Sequence, residues 1–266
     1  MHVPVPHVPR PALPPIWREG LFGLEAAALM RSPVWHGSGQ APGDGRGVVL
    51  IPGFLAGDGS LGLMTRWLRG LGYRTHKAGM RAHVDCSGAV CANLERCLEE
   101  MADKTGDRVT IVGQSRGGIV ARALAVTRPD LVSGIVTLGS PTTNMLQVHP
   151  FVLGSIGVVG ALGSLRVPHV FTWRCLRGEC CAAFRAALRT EDFPADVGFV
   201  AVYSKHDGIV DWHACLDPAA GEHVEVDSSH CGMAVHRDVY TVVGRSLARF
   251  AHVDDMPVWA DWVQAA

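Results

Sequence analysis

Apolar residues along the chain fall into two alternating kinds of run. Val48–Ile51, Val109–Val112, the block from Ser133 to Leu138 and Gly198–Ser204 are short, nearly continuous and rich in β-branched side chains. Such runs suit strands buried on both faces, as in a parallel sheet. Tyr73–Ala78 and His223–Val226 are weaker strand candidates. Between the blocks the spacing changes to that of helices. Ser60 is placed to cap a helix reaching Arg69 before Gly70 and Gly72, and Ala89–Lys104 puts Leu94, Cys97, Leu98 and Met101 on one face. Gly117–Thr127 stops before Pro129, and Asp238–Phe250 closes the pattern. Strands alternating with helices predict an α/β fold: a mostly parallel sheet flanked by helices.

The two ends and one internal segment depart from that rhythm. Residues 1–15 contain six prolines and read as an extended arm, and Ile16–Met30 as a short amphipathic helix ended by Ser32-Pro33. The expected organisation is an arm and helix over 1–45, a catalytic domain over 46–250, and a tail over 251–266. An insertion is expected at about 142–196. From Leu131 to Leu165 there is no charged residue, and Phe151–Leu165 is apolar and glycine-rich. That stretch is too short and too interrupted to span a bilayer. It reads either as a buried helix or as an apolar lid over an acyl pocket, kept flexible by Gly154, Gly157, Gly160 and Gly163.

The chemistry centres on Val109-Thr110-Ile111-Val112-Gly113-Gln114-Ser115-Arg116-Gly117-Gly118. Gly-x-Ser-x-Gly between a strand and a helix is a nucleophile elbow, in which the serine hydroxyl is lifted clear of the sheet. A serine is a weak nucleophile and needs a base oriented by a carboxylate, here in the chain order serine, acid, histidine. Ser115, Asp207 and His230 satisfy that order, each in a loop after a strand. Asp211 is the rival acid but reads as a turn or cap residue. His206, His213, His223 and His236 read as surface histidines. The oxyanion donors expected are the backbone N–H groups of Arg116 and Phe54, the latter in Pro52-Gly53-Phe54.

These pieces, together with Thr137-Leu138-Gly139-Ser140-Pro141, Asp207-Gly208-Ile209-Val210 and Ser229-His230-Cys231-Gly232-Met233, resemble the lipase/esterase-like branch of the α/β-hydrolase superfamily over residues 46–250. The chain departs from it in carrying Pro52-Gly53 where many members have His-Gly, and Arg116 where smaller or amide residues are common. The resemblance implies an α/β-hydrolase fold with an apolar lid or cap insertion. It also implies a serine hydrolase cleaving carboxylic esters of short to medium acyl length through an acyl-enzyme. Alternatives are an acyltransferase passing the same acyl group to an alcohol or amine, and a non-catalytic binding module. Phe54, Leu55, Phe151, Leu153 and Ile156 are the expected substrate-binding residues.

Composition narrows the partners. The net charge is −1 and no basic tract is present, which argues against nucleic acid; the resemblance implies a small acyl ester as the substrate, with transient contact to a lipid surface. The N-terminus shows no basic region followed by an apolar one, so a cytoplasmic setting is expected. No cofactor or metal is expected: the eight cysteines include no Cys-x-x-Cys and no recognised zinc spacing, and read mostly as small buried residues. Two local exceptions are considered: a Cys215–Cys231 disulfide under oxidising conditions, and a metal held by His213, Cys215, His230 and Cys231.

Overall fold

In the computed structural model, which describes residues 16–190 and 192–251, six strands form one parallel sheet. They are β1 (Gly47–Ile51), β2 (Arg74–Lys77), β3 (Val109–Gln114), β4 (Val132–Leu138), β5 (Gly198–Tyr203) and β6 (Glu222–Glu225), in the spatial order β2-β1-β3-β4-β5-β6. The helices are α1 (Phe22–Arg31), α2 (Gly62–Gly70), α3 (Ser87–Thr105), α4 (Arg116–Thr127), α5 (Pro150–Ser164), α6 (Trp173–Arg177), α7 (Ala182–Arg189) and α8 (Arg237–Phe250). The proline-rich arm over 1–15 and residues 252–266 of the expected tail lie outside the described residues.

Alternation along the central strands explains their unbroken apolar runs. Val48 and Leu50 of β1 pack with Val112, Val136, Val200 and Val202 beneath α2 and α8. Val49 and Ile51 point the other way, with Ile111, Ile135 and Phe199, beneath α3 and α4. Both faces are covered, so neither set of side chains can be polar. The chain leaves β1 toward one edge of the sheet and returns on the other side at β3. The loops after β1 and β3 therefore open a crevice at the strands' C-terminal ends, where ligands of such sheets bind.

Three details differ from the sequence reading. The N-terminal helix starts as a 3-10 turn over Ile16–Leu21 before α1. A 3-10 turn over Asp58–Leu61 precedes α2, and the Ser60 hydroxyl donates to the Gly57 carbonyl (2.9 Å) instead of capping. On α3 the buried stripe is Val90, Leu94, Leu98 and Met101, and Cys97 sits at its margin, half-buried.

Between β4 and β5 the chain makes an excursion through α5, α6 and α7. Its start is tied to the loop after β5 by an antiparallel bridge, Val148 to Val210, and by His149 N–H on the Ile209 carbonyl (2.7 Å). At its far end the buried Arg122 guanidinium holds Asp217 (2.6 Å) and the Ala187 carbonyl (3.0 Å), linking α4 to α7. The charge-free segment forms α5, which is not a core helix. Phe151 is 67 % exposed and Leu165 78 %, while Val159, Gly160 and Gly163 are buried. Its glycines divide in the same way. A Cβ on Gly163 would overlap the Phe171 carbonyl and one on Gly160 would lie 3.1 Å from Leu176 Cδ1, whereas Gly154 faces open space. Gly160 and Gly163 thus allow α5 to pack closely on Phe171 and Leu176.

Candidate active site

Ser115 occupies the sharp turn from β3 into α4 with φ 53° and ψ −120°, a backbone conformation that costs a non-glycine residue on the order of 1–3 kcal/mol. Its neighbours over-determine it. A Cβ on Gly113 would lie 2.5 Å from the Gly117 carbonyl oxygen, and one on Gly117 would overlap the Ile51 carbonyl. Only glycine fits at either position. The Ser115 N–H donates to the Leu138 carbonyl (2.8 Å), pinning the turn to β4. Arg116 is the first residue of α4, so its N–H belongs to the first turn, which has no intrahelical acceptor.

Asp207 and His230 are brought together across the ends of β5 and β6. Asp207 Oδ2 lies 2.6 Å from His230 Nδ1, and both side chains are buried. The other carboxylate oxygen accepts the N–H groups of Ile209 (2.8 Å) and Val210 (2.7 Å), which fixes the plane of the acid. Burial opposes protonation of His230, but the Asp207 charge, its hydrogen bond and the charge of Glu19 outweigh it and raise the pKa above that of an ordinary histidine. Asp211, the rival, accepts the His213 N–H (3.1 Å) and caps the 3-10 turn over Trp212–Cys215. His206, His213 and His223 are engaged elsewhere, with Asp227, Asp211 and the Asp217 carbonyl respectively.

Two residues that sequence reasoning passed over hold the histidine loop. Glu19 accepts the N–H groups of Gly208 (3.3 Å), His230 (3.0 Å) and Cys231 (2.7 Å), so one carboxylate spans the acid and histidine loops. Glu25 accepts the Ser228 hydroxyl (2.8 Å) and the N–H and hydroxyl of Ser229 (3.2 and 3.1 Å). The His230 carbonyl accepts Gln114 Nε2 (3.0 Å), from the residue before Ser115. No local spacing reveals these partners. The only signal is a pair of acids in a helix that is otherwise largely apolar.

His83 was also missed. It is buried at φ 39°, with Nδ1 2.7 Å from the Pro52 carbonyl. Burial, then the nearby Arg116 charge, lower its pKa to about 3, so it is neutral and donates from Nδ1 to that carbonyl. The Arg116 guanidinium donates to the carbonyls of His83 (2.7 Å) and Asp85 (2.6 Å) and to the Ser87 hydroxyl (3.2 Å). A chain of contacts therefore links the elbow to Pro52-Gly53-Phe54.

Two cavities meet at Ser115. The larger, about 450 Å³, also contains Gly53, Phe54, Leu55, Phe151, Val152 and His230. The smaller, about 210 Å³, is lined by Phe54, Arg116, Val152, Ile156, Phe171 and Leu176 among others. Of the expected substrate-binding residues, Phe54, Leu55, Phe151 and Ile156 therefore face a cavity beside the serine. Leu153 is half-buried and lines neither; one helical position earlier, Val152 lines both. Cys215 and Cys231 are free thiols, the first buried and the second exposed. Among the described residues, His213, Cys215, His230 and Cys231 do not bring their ligand atoms together at one position.

No protein-family model and no curated protein sequence matches the chain. Solved structures do. A metagenomic carboxyl esterase superposes with a TM-score of 0.58 at 14 % identity, over 96 % of this chain and 97 % of that one. Metagenome-derived lipolytic enzymes, LipS and LipT, give a TM-score of 0.56 at 15 % identity over 80 % of this chain and 96 % of theirs. A monoacylglycerol lipase of Paleococcus ferrophilus gives 0.54 at 15 % identity over 79 % and 96 %. With the parallel sheet, the elbow after β3 and the acid and histidine after β5 and β6, these likenesses establish that the chain has the α/β-hydrolase fold.

Proposed function

We propose that the protein is a serine hydrolase that cleaves carboxylic esters through an acyl-enzyme. The observation that carries the reading is the 2.6 Å contact between Asp207 and His230 in a cavity shared with a serine held at φ 53°. Ser115 Oγ attacks the ester carbonyl while His230 Nε2 accepts the hydroxyl proton and then returns it to the leaving alcohol. Water repeats the sequence on the acyl-enzyme. Asp207 holds the tautomer with the proton on Nδ1 and stabilises the imidazolium that forms. The N–H groups of Phe54 and Arg116 receive the oxyanion, and His83 and the Arg116 side chain keep those two amides in register. Carboxyl esterases and lipases among the structural neighbours fit the same chemistry.

The apolar lining of both cavities supports uncharged acyl groups of short to medium length. Exposed Leu55, Phe151, Val158 and Leu165 on the cap side support transient contact with a lipid surface that presents the ester. Among the described residues no helix is long and apolar enough to cross a membrane. A p-nitrophenyl ester series tests the acyl assignment. Each buried methylene contributes up to about 0.8 kcal/mol, or roughly a fourfold rise in kcat/KM per carbon until the cavity is full. A profile flat or falling from acetyl to octanoyl would refute it.

A further inference from the structure

Away from the serine, four thiols from two distant stretches of chain converge. Cys86 immediately precedes α3, Cys175 lies in α6, and Cys180 and Cys181 form the turn that enters α7. Their Sγ atoms all lie within 4.8 Å of one another. Cys86 is 3.3 Å from Cys181 and 3.6 Å from Cys180, Cys180 is 3.7 Å from Cys181, and Cys175 is 3.0 Å from Cys180. All four are free thiols, graded from buried Cys181 to exposed Cys180. A tetrahedron of thiolates around zinc, with Zn–S bonds of about 2.3 Å, has edges of about 3.8 Å. The separations of 3.0, 3.3, 3.6 and 3.7 Å lie at or a little below such an edge and none exceeds 4.8 Å, so shifts of about 1 Å or less bring the sulfurs to those spacings.

We propose that Cys86, Cys175, Cys180 and Cys181 bind one structural Zn²⁺ ion, clamping the α6–α7 segment of the cap to the start of α3. The donor set narrows the ion: four soft thiolates in a tetrahedron suit zinc or iron and disfavour the oxygen-seeking calcium and magnesium, and zinc needs no redox partner. It also assigns the role, because four protein ligands leave no position for substrate or water. On binding, each thiol gives its proton to solvent, and the site carries net negative charge. Arg116, whose guanidinium is fixed on the Asp85 carbonyl and Ser87 hydroxyl, is the cation that faces Cys86 and Cys181. The surroundings are close-fitting. A Cβ on Gly88 would lie 3.3 Å from the Cys180 carbonyl and 4.0 Å from the sulfurs of Cys86 and Cys181. The Thr172 hydroxyl lies 3.6 Å from Cys175 Sγ, placed to orient that ligand.

The clamp has a consequence for the pocket. Phe171, Cys175, Leu176, Cys181 and Phe184 form one wall of the smaller cavity beside Ser115. Without the ion, that wall is joined to the loop before α3 and to α3 itself by the Phe171 N–H on the Val84 carbonyl (2.7 Å), thiol contacts and packing. With it, the wall is fastened to the same loop that Arg116 holds. The inference stands on the cysteine geometry alone and survives any outcome of the ester assays.

The test uses the full chain purified under reducing conditions without chelator. Native mass spectrometry and elemental analysis should find one zinc per chain. Replacement by Co²⁺ should give the thiolate-to-metal charge transfer and intense visible bands of a tetrahedral all-sulfur site. Cys86→Ser and Cys175→Ser should each lose the metal, while Cys97→Ser keeps it. If the ligand variants do not fold, the wild-type chain decides: the four thiols should resist alkylation until zinc is chelated. A reduced chain that contains no zinc and takes up no Co²⁺ would overturn the proposal. So would disulfides among these four cysteines in the metal-free folded protein as its stable state.

Discussion

Removing the Glu19 carboxylate should loosen the histidine loop and change its titration at once. In Glu19→Ala, the amides of Gly208, His230 and Cys231 lose their acceptor. A hydrogen bond to a charged group is worth about 1.5–3 kcal/mol, but only the contacts at 2.7 and 3.0 Å are short, and Cys231 is exposed so that water replaces part of the loss. A net cost of about 2 kcal/mol follows, equivalent to a fall in Tm of roughly 4–8 °C for a chain of this size. The sign of the pH effect is fixed separately. The Glu19 charge helps raise the His230 pKa, and ester attack needs His230 neutral, so activity is lost as pH falls through that pKa. Without Glu19 the pKa drops and the acid limb of kcat/KM must move to lower pH. Glu19→Gln, which keeps an acceptor oxygen but no charge, should move the limb in the same direction while retaining more of the Tm. Thermal unfolding and a pH profile on one soluble ester measure both. An acid limb that stays fixed or moves to higher pH, in a variant that is folded, would show that Glu19 does not act on His230.

Ser115→Ala should lower turnover on the order of a millionfold with the fold intact, read by ester hydrolysis alongside circular dichroism, and should abolish fluorophosphonate labelling. Asp207→Asn should lower kcat by about 10⁴-fold because the amide favours the wrong histidine tautomer. Asp211→Asn removes a 3-10 cap and should cost far less; the reverse ranking in parallel assays would reassign the acid. Gly163→Ala should lower Tm, since its Cβ meets the Phe171 carbonyl, whereas Gly154→Ala should leave Tm unchanged or raise it.

What the sequence reveals here is whatever is encoded locally. The strands of the sheet centre are legible because burial on both faces forces every position of Val48–Ile51 and Val109–Val112 to be apolar, save the small hydroxyl of Thr110. The elbow is legible because two steric constraints, at Gly113 and Gly117, must be met within five residues. Asp207 and His230 are legible because each follows a strand at the edge where the fold presents its loops. The 3-10 start at Ile16 is less so because none of its residues is buried, and the exact edges of β2 and β6 because both are edge strands with exposed positions.

The groups that were missed share a different property: each acts across the chain. Glu19 reaches loops about two hundred residues away, His83 reports on Pro52, and Cys86 meets Cys175, Cys180 and Cys181 only after the cap folds back. A carboxylate that accepts three amides, or a thiol that meets three others, leaves no periodicity, because its partners are backbone groups or residues set by topology. The same reasoning applies to the glycines of α5. Small residues at 160 and 163 look like flexibility in one dimension, yet they are also where Phe171 and Leu176 approach closest, a packing role that only the fold reveals. Ser115 and His230 are thus carried by the legible part of the chain, while the groups that hold the His230 loop and shape the cavities lie in contacts only the fold creates.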